Sequence, residues 1–122
     1  MDERIEKWLY DIKFAIDEIN SYFINSEKNF LLFQQNQMLK RAIERNLEII
    51  GEATNRILLK EPEFPINNAR KIVNLRNYVI HSYDNISDEN IWAIIINNLP
   101  NLEKDIDKLI SQQKIEKDES DN

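Results

Sequence analysis

The sequence predicts an all-α fold, an antiparallel four-helix bundle with a kinked last helix. Only one of the 122 residues is glycine and three are proline, a composition that favours long helices over turn-rich sheets. Apolar residues recur at spacings of three and four along four segments of the chain. The length suits one compact core and is too short for two. We therefore predict one helical domain over residues 1–112, followed by a disordered acidic tail over residues 113–122.

The first helix is predicted from about Glu3 to Phe23. Its apolar positions form one stripe: Ile5, Trp8, Leu9, Ile12, Ala15, Ile16, Ile19 and Phe23. A polar break follows at residues 25–29. The apolar cluster over residues 30–33 then indicates either a short helix or a lead-in to the next long one.

The second long helix is predicted from Gln37 to about Leu59, with an apolar stripe on one face and charges on the other. Gly51 lies in its middle, at a cost of roughly 1 kcal/mol relative to alanine. A close helix crossing is the simplest compensation for that cost. Pro62 and Pro65 then end the helix, because proline lacks the amide hydrogen that a helix interior needs.

A third helix is predicted from Ile66 to about Ser82, and a fourth begins after Ser87. Ser87 suits an N-cap, and the two carboxylates that follow it favour the positive end of a helix. The apolar stripe of the fourth helix continues through Pro100, which must kink the helix or split it in two; we favour the kink. After Ser111 the apolar periodicity stops and a charged tail begins.

The composition excludes several classes of function. The chain has no cysteine, which removes disulfides, thiolate metal sites and thiol nucleophiles. Its N-terminal region has no uninterrupted apolar run that could serve as a signal peptide or membrane span, so a cytoplasmic protein is expected. The formal charge of −6 means that RNA binding would need a local cluster of cations. Arg70, Lys71 and Arg76 are the candidates.

The one histidine of the chain, His81, follows Arg76 by five residues and precedes Tyr83 by two. A histidine with a pKa near 6.5 can take a proton from a ribose 2′-hydroxyl and later return one to the leaving oxygen. The planar guanidinium of arginine stabilises charge on the transferring phosphate. This chemistry needs no metal and no cofactor, and the Tyr83 hydroxyl can orient phosphate or itself be modified.

On the predicted third helix, Arg76 lies near the centre of the apolar stripe, where an unpaired cation would be very costly. His81 points about 140° away, on a polar side that includes Asn77, a plausible second polar contact. Both catalytic groups reach one phosphate if the last helical turn unwinds, or if two subunits face each other. The second solution makes a symmetric homodimer the natural functional unit.

Two alternatives stay open at this point. In a purely structural interpretation, His81 and Tyr83 cap the third helix while Arg76 pairs with Glu48 or Glu52. In a second functional interpretation, the chain is a noncatalytic helical accessory subunit that docks a nucleotidyltransferase.

The motif R-x4-H-x-Y near the end of a helix, in a four-helix chain of this length, resembles the HepT-like branch of the HEPN superfamily. The segment RAIERNLEIIGEATNR at residues 41–56 is similar to the second helix of that branch. The segment IWAIIINNLPNL at residues 91–102 is similar to its last helix with the internal proline. The resemblance covers roughly residues 1 to 110.

This resemblance implies an HEPN-type bundle and a ribonuclease toxin of a type II toxin–antitoxin pair. Cleavage of RNA would be metal-independent, with Arg76 and His81 of two protomers forming a shared site. The resemblance also implies a partner, a small MNT-type nucleotidyltransferase antitoxin that transfers AMP to the motif tyrosine. The acceptor in this sequence would be Tyr83.

Overall fold

The computed structural model describes residues 2–24, 28–67, 71, 73–74 and 88–120. Every regular element in these ranges is helical, which confirms the predicted all-α class. The elements are α1 (Glu3–Ser21), α2 (Phe30–Gln35), α3 (Gln37–Lys60), α4 (Asp88–Ala93), a π-helical turn (Ile94–Asn98) and α5 (Leu99–Ser120). Lys71, Val73 and Asn74 are also helical, whereas the rest of the predicted third helix from residue 75 onward lies outside the described residues.

Helix α1 begins where the sequence predicts, because Asp2 caps it. The Asp2 carboxylate accepts hydrogen bonds from the backbone N–H of Arg4 at 2.7 Å and of Ile5 at 3.4 Å, which satisfies amides that have no partner inside the helix. Desolvation opposes ionisation of this group, but the bonds from Arg4 and Lys60 prevail and lower the pKa of Asp2.

Helices α1 and α3 run antiparallel, and their contact is the most extensive one between the described helices. Lys60 Nζ lies 3.2 Å from Asp2 Oδ2, which joins the end of α3 to the start of α1. At the other end, the Tyr22 hydroxyl donates to Asn46 Oδ1 at 2.9 Å. Gly51 is buried in the middle of α3, where close helix packing is expected.

The last helix, residues 88–120, runs antiparallel to α1 and parallel to α3. Asn20 Nδ2 donates to Glu103 Oε2 at 2.8 Å, and Lys13 Nζ lies 2.9 Å from Asp107 Oδ1. Near its start, Asp88 Oδ2 lies 3.4 Å from Lys40 Nζ, close to the beginning of α3. The end of α3 and the start of α4 therefore lie at opposite ends of the bundle.

The core follows the predicted stripes. Six aliphatic residues of α1 are buried, whereas Trp8 and Phe23 are only partly buried. Each fully buried Ile or Leu contributes about 1.5–3 kcal/mol relative to an exposed one. The apolar cluster over residues 30–33 is the short helix α2, and its Phe33 ring is buried with its centroid 5.3 Å from that of Trp92.

Pro100 neither splits the last helix nor leaves a regular α-helix on both sides. The five residues directly before α5 form a π-helical turn, and the backbone N–H of Leu99 donates to the carbonyl of Ile94, five residues earlier. A wider turn at this point relieves the clash between the proline ring and the carbonyl four residues before it. The irregularity that the sequence predicts as a kink is thus a π-helical turn.

The structure differs from the sequence-based expectation at the C-terminal end. Helix α5 continues to Ser120, through most of the segment predicted as a disordered tail over residues 113–122. Two physical reasons account for the extension. Lys, Glu and Gln are good helix formers, and Gln113 is buried, with 2 % of its surface exposed. The domain limit at residue 112 stays a prediction.

Candidate functional site

The predicted catalytic motif lies outside the described residues. Arg76, Asn77, His81 and Tyr83 all fall there, as does Arg70. Their roles stay predictions. The described helical residues of the third segment are Lys71, Val73 and Asn74, and two depressions lie on the surfaces of α3 and its neighbouring helices.

The two carboxylates named as structural partners for Arg76 have arginines next to them on their own helix. Glu48 Oε2 lies 3.4 Å from Arg45 Nη1, and Glu52 Oε1 lies 3.0 Å from Arg56 Nε. With Trp8 and Asp11 of α1, these four residues line a groove of about 350 Å³, which we call the arginine groove. Its two cations face three carboxylates.

A second depression, which we call the lysine cleft, is lined by residues of α3, by Asn67 and Lys71, and by the last helix. Its volume is about 400 Å³, which falls within the range of sites for small ligands. The base of the cleft is apolar, and the amide and charged side chains around it give it a polar rim. The apolar residues are Leu47, Ile50, Ile94, Leu99 and Leu102, and the polar ones are Asn67, Lys71, Asn98, Asn101, Lys104, Asp105 and Lys108.

The rim of the lysine cleft is positively charged. Lys71, Lys104 and Lys108 line it, against the single carboxylate of Asp105. That carboxylate already accepts two hydrogen bonds from Asn67, from the backbone N–H at 2.9 Å and from Nδ2 at 3.4 Å. Among the described residues, no carboxylate lies within ion-pair distance of any of the three lysines.

The last helix positions most of the polar rim. Asn101, Lys104, Asp105 and Lys108 lie three or four residues apart, which places them on one face of α5. The other face buries Ile106, Leu109 and Ile110 in the core. The π-helical turn ends at Asn98, which brings one more amide to the same cleft; such turns are frequent at functional sites.

Sequence reasoning named Lys71 as a candidate cation but missed Lys104 and Lys108. The signal for these two was present as a polar spacing of three and four along residues 98–108. It becomes a cluster of cations only when the last helix is seen to line one cleft with Lys71, more than thirty residues earlier. The contact between distant segments is what the one-dimensional pattern lacks.

The described part of the chain contains no group of three or more His, Asp or Glu side chains arranged to hold a metal ion. A separate search of the same residues for a helix long and apolar enough to cross a membrane found none.

Fold and sequence together define a class, the small all-α bundles that carry an R-x4-H-x-Y motif between their second long helix and their last. The chain belongs within that class to the HepT-like ribonuclease family. It matches the family described as "Ribonuclease HepT-like" over residues 12–109, a range that includes the whole motif.

Relatives with provisional RNase names support this assignment. A protein of Methanocaldococcus jannaschii is 32% identical over 110 residues, 87% of either chain. A second protein of the same organism is 32% identical over 104 residues, 84% of this chain and 94% of the relative. A protein of Caldanaerobacter subterraneus subsp. tengcongensis is 28% identical over 114 residues, 90% of this chain and 94% of the relative. No solved structure matches the chain.

Proposed function

We propose that this protein is a metal-independent endoribonuclease, the toxin of a type II toxin–antitoxin pair in the cytoplasm. The observation that carries the proposal is membership of the HepT-like ribonuclease family over a range that includes Arg76 and His81. The names of the relatives, all given as RNases, support the same substrate class. The dimer is argued from the positions of Arg76 and His81 on the predicted third helix, whereas the antitoxin and the modified tyrosine are what the resemblance to the HepT-like branch implies.

In the proposed reaction, His81 takes the proton from the 2′-hydroxyl of the ribose at the cleavage site. The 2′-oxygen then forms a bond to phosphorus while the bond from phosphorus to the 5′-oxygen breaks. The leaving 5′-oxygen receives a proton from the imidazolium, and a 2′,3′-cyclic phosphate remains on the other product. Arg76 stabilises the additional negative charge on the phosphoryl oxygens, with its planar fork donating to two of them. Asn77 provides a second polar contact, and the Tyr83 hydroxyl orients the phosphate.

The first experiment compares RNA cleavage by His81→Ala with that by Asn74→Ala. Asn74 is an exposed helical residue of the same segment and has no assigned role, so it controls for the effect of substitution there. Loss of general acid–base catalysis lowers rates by about 10²–10⁴-fold. We expect that loss for His81→Ala and nearly unchanged cleavage for Asn74→Ala. Equal activity of the two variants would contradict the assignment of His81, whereas a wild type that does not cleave RNA would favour the noncatalytic accessory subunit.

A mixing experiment tests the shared site of the homodimer. Arg76→Ala and His81→Ala are each expected to be inactive, but a heterodimer of the two keeps one complete Arg–His pair if the pair is formed across the subunits. After denaturation and joint refolding, half the dimers are mixed and half their sites are intact, so about a quarter of the wild-type activity returns. No recovery in a confirmed heterodimer would show that each site belongs to one protomer.

Regulation is tested by mass spectrometry after co-expression with an MNT-type nucleotidyltransferase. The proposal expects one added AMP on Tyr83 of the wild type and none on Tyr83→Phe. Tyr10→Phe serves as the matched control, because Tyr10 lies on α1 and is not part of the motif, and this variant should still be modified. Modification of Tyr83→Phe would place the acceptor elsewhere.

A further inference from the structure

The lysine cleft concentrates positive charge in a protein whose formal charge is −6. Three lysines against one carboxylate leave a net positive rim, and that carboxylate is held by Asn67 at 2.9 Å. Among the described residues, none of the three ammonium groups lies in an ion pair. Cations from separate chain segments that converge without partners are suited to a ligand that brings several negative charges.

The apolar base of the cleft narrows the choice of ligand. Inorganic phosphate would be bound by the lysines and amides of the rim and would not use the apolar surface that Ile94, which is only partly buried, contributes to the cleft. A nucleotide unit has both parts, since its phosphate is anionic while its sugar and base present apolar faces. Amide side chains such as Asn98 and Asn101 donate hydrogen bonds to phosphate and sugar oxygens, which is the commonest kind of protein–nucleic acid contact.

The position of the cleft in the sequence connects it to the predicted chemistry. Lys71 precedes Arg76 by five residues and His81 by ten, on the segment predicted as the third helix. A chain of phosphates that contacts Lys71 is therefore brought to the segment that carries the catalytic pair. Lys104 and Lys108 lie one turn apart on α5, where they can follow successive phosphates of one strand.

We propose that the lysine cleft binds the sugar–phosphate backbone of the RNA substrate and positions it for cleavage. This inference rests on the proposed ribonuclease function, and assigns Lys71, Lys104 and Lys108 as positioning residues. The contacts are to phosphate and sugar, so the cleft sets where the strand lies without reading its sequence.

The test measures binding of a single-stranded RNA of about 12 nucleotides, a length typical of single-strand sites, made with 2′-O-methyl riboses so that it cannot be cleaved. The test variant is Lys104→Gln with Lys108→Gln. Its control is Lys7→Gln with Lys114→Gln, which removes the same number of positive charges from α1 and from α5 outside the cleft. Circular dichroism melting verifies that both variants are folded.

We expect the test variant to bind about tenfold more weakly at low salt, and its plot of log affinity against log salt to be shallower by about 1.4, since each lost contact to single-stranded phosphate lowers the slope by about 0.7. The control should keep the wild-type slope. A purely structural role for the lysines would not change this slope. An unchanged slope for Lys104→Gln with Lys108→Gln, or equal weakening in both variants, would overturn the proposal.

Further outcomes separate this inference from the ribonuclease itself. If the wild type cleaves RNA and the two lysines do not affect cleavage, the RNA-binding role of the cleft is contradicted and the ribonuclease function is not. If the wild type binds RNA through the lysines but does not cleave it, the role of the cleft is supported and the ribonuclease function is contradicted. AMP serves as the probe for a mononucleotide site, and tighter binding of AMP than of RNA would contradict a backbone site.

Discussion

The arginine groove and the lysine cleft lie on two sides of α3, have similar volumes and are both rimmed by charges, yet they differ in charge balance. In the arginine groove each arginine lies within 3.4 Å of a carboxylate on the same helix face. In the lysine cleft three lysines face one carboxylate that is already hydrogen-bonded. The first surface is neutralised by its own residues, and the second is not.

The difference shows why total charge is a poor guide to ligands here. Exposed ion pairs one turn apart contribute only about 0.3–0.5 kcal/mol each to stability, so the pairs of the arginine groove stabilise the fold very little. Because each arginine is paired, however, the groove attracts an anion only weakly. The lysine cleft keeps its field because none of its three lysines forms an ion pair with a described residue. A protein of negative net charge can therefore still present a surface suited to RNA.

Charge reversal should produce the largest difference in RNA cleavage between the two surfaces. Lys104→Glu with Lys108→Glu is expected to lower RNA cleavage at low substrate concentration by about a hundredfold, because phosphate contacts are replaced by repulsion. Arg45→Glu with Arg56→Glu changes the net charge equally and should alter cleavage by about twofold or less. Steady-state rates at fixed salt measure both. Equal losses would mean that only the overall charge matters.

Substitution of Gln113 should change the stability of the fold without affecting the arginine groove or the lysine cleft. Its side-chain Nε2 and Oε1 are buried and have no hydrogen-bond partner among the residues that the structure describes, and leaving a buried polar group unsatisfied costs about 1–3 kcal/mol. Gln113→Met should therefore raise the free energy of unfolding by about that amount in urea denaturation. RNA binding should not change.

Gln112→Met is the matched control for that measurement, since Gln112 is the exposed neighbour on the same helix. Its stability should stay within about 0.5 kcal/mol of the wild type. If Gln113→Met destabilises the protein instead, the buried amide has a partner in solution, and its burial is not a cost.

Removal of the one carboxylate that lines the lysine cleft should strengthen RNA binding, which is the opposite of the effect expected for the lysine substitutions. Asp105→Asn keeps an oxygen that can accept from the Asn67 backbone N–H, but it removes a charge that repels phosphate. RNA binding should become about threefold tighter, as measured by fluorescence anisotropy. Asp118→Asn, on the same helix beyond the cleft, should leave affinity unchanged; weaker binding by Asp105→Asn would contradict the assigned charge balance.

The smallest expected effect concerns alkaline pH. The hydrogen bond to Asp107 outweighs desolvation and, with Asp17, raises the pKa of Lys13 above its usual 10.5. A group whose folded pKa is raised stabilises the fold fully below its unfolded pKa, and that stability is lost as the pH rises through the folded pKa. Burial likewise raises the pKa of Tyr22 above 10.0. Stability should therefore fall above about pH 10, and both groups contribute to the loss.

Lys13→Gln should show a smaller alkaline loss than the wild type, because one of the two titrating groups is gone. Urea midpoints at about pH 9 and about pH 11 give the comparison, and the expected difference is below about 1 kcal/mol because Lys13 is partly exposed. Lys114→Gln should behave as the wild type does. If Lys13→Gln loses as much stability at alkaline pH as the wild type does, Lys13 does not contribute to that loss.

Sequence reasoning succeeded where one helix determines the outcome by itself. The bounds of α1 and α3 follow from apolar periodicity with Asp2 and the prolines at residues 62 and 65, and the last helix does continue through Pro100. Local patterns were insufficient for the π-helical turn, because apolar spacing does not report which carbonyl an amide reaches. The helix beyond residue 112 was missed because Gln113 gives no apolar signal, although it is buried.

For the candidate site too, sequence reasoning predicts one part and misses another. The proposed chemistry was predicted from residue types, since an arginine and a histidine five residues apart indicate phosphate binding and proton transfer without any coordinates. The lysine cleft was not predicted, because its field depends on the rotation of α5 relative to Lys71 and on the hydrogen bonds that occupy Asp105. Such properties belong to pairs of segments that are far apart in the chain.

Analysis of the RNA product ends by mass spectrometry, after digestion by the purified protein in excess chelator, tests the central claim most directly. Nucleophilic attack by the 2′-oxygen with His81 and Arg76 as the only catalytic groups predicts 2′,3′-cyclic phosphate ends and 5′-hydroxyl ends, formed at the same rate with or without chelator. Activity that disappears with the chelator, or 5′-phosphate ends, would contradict it.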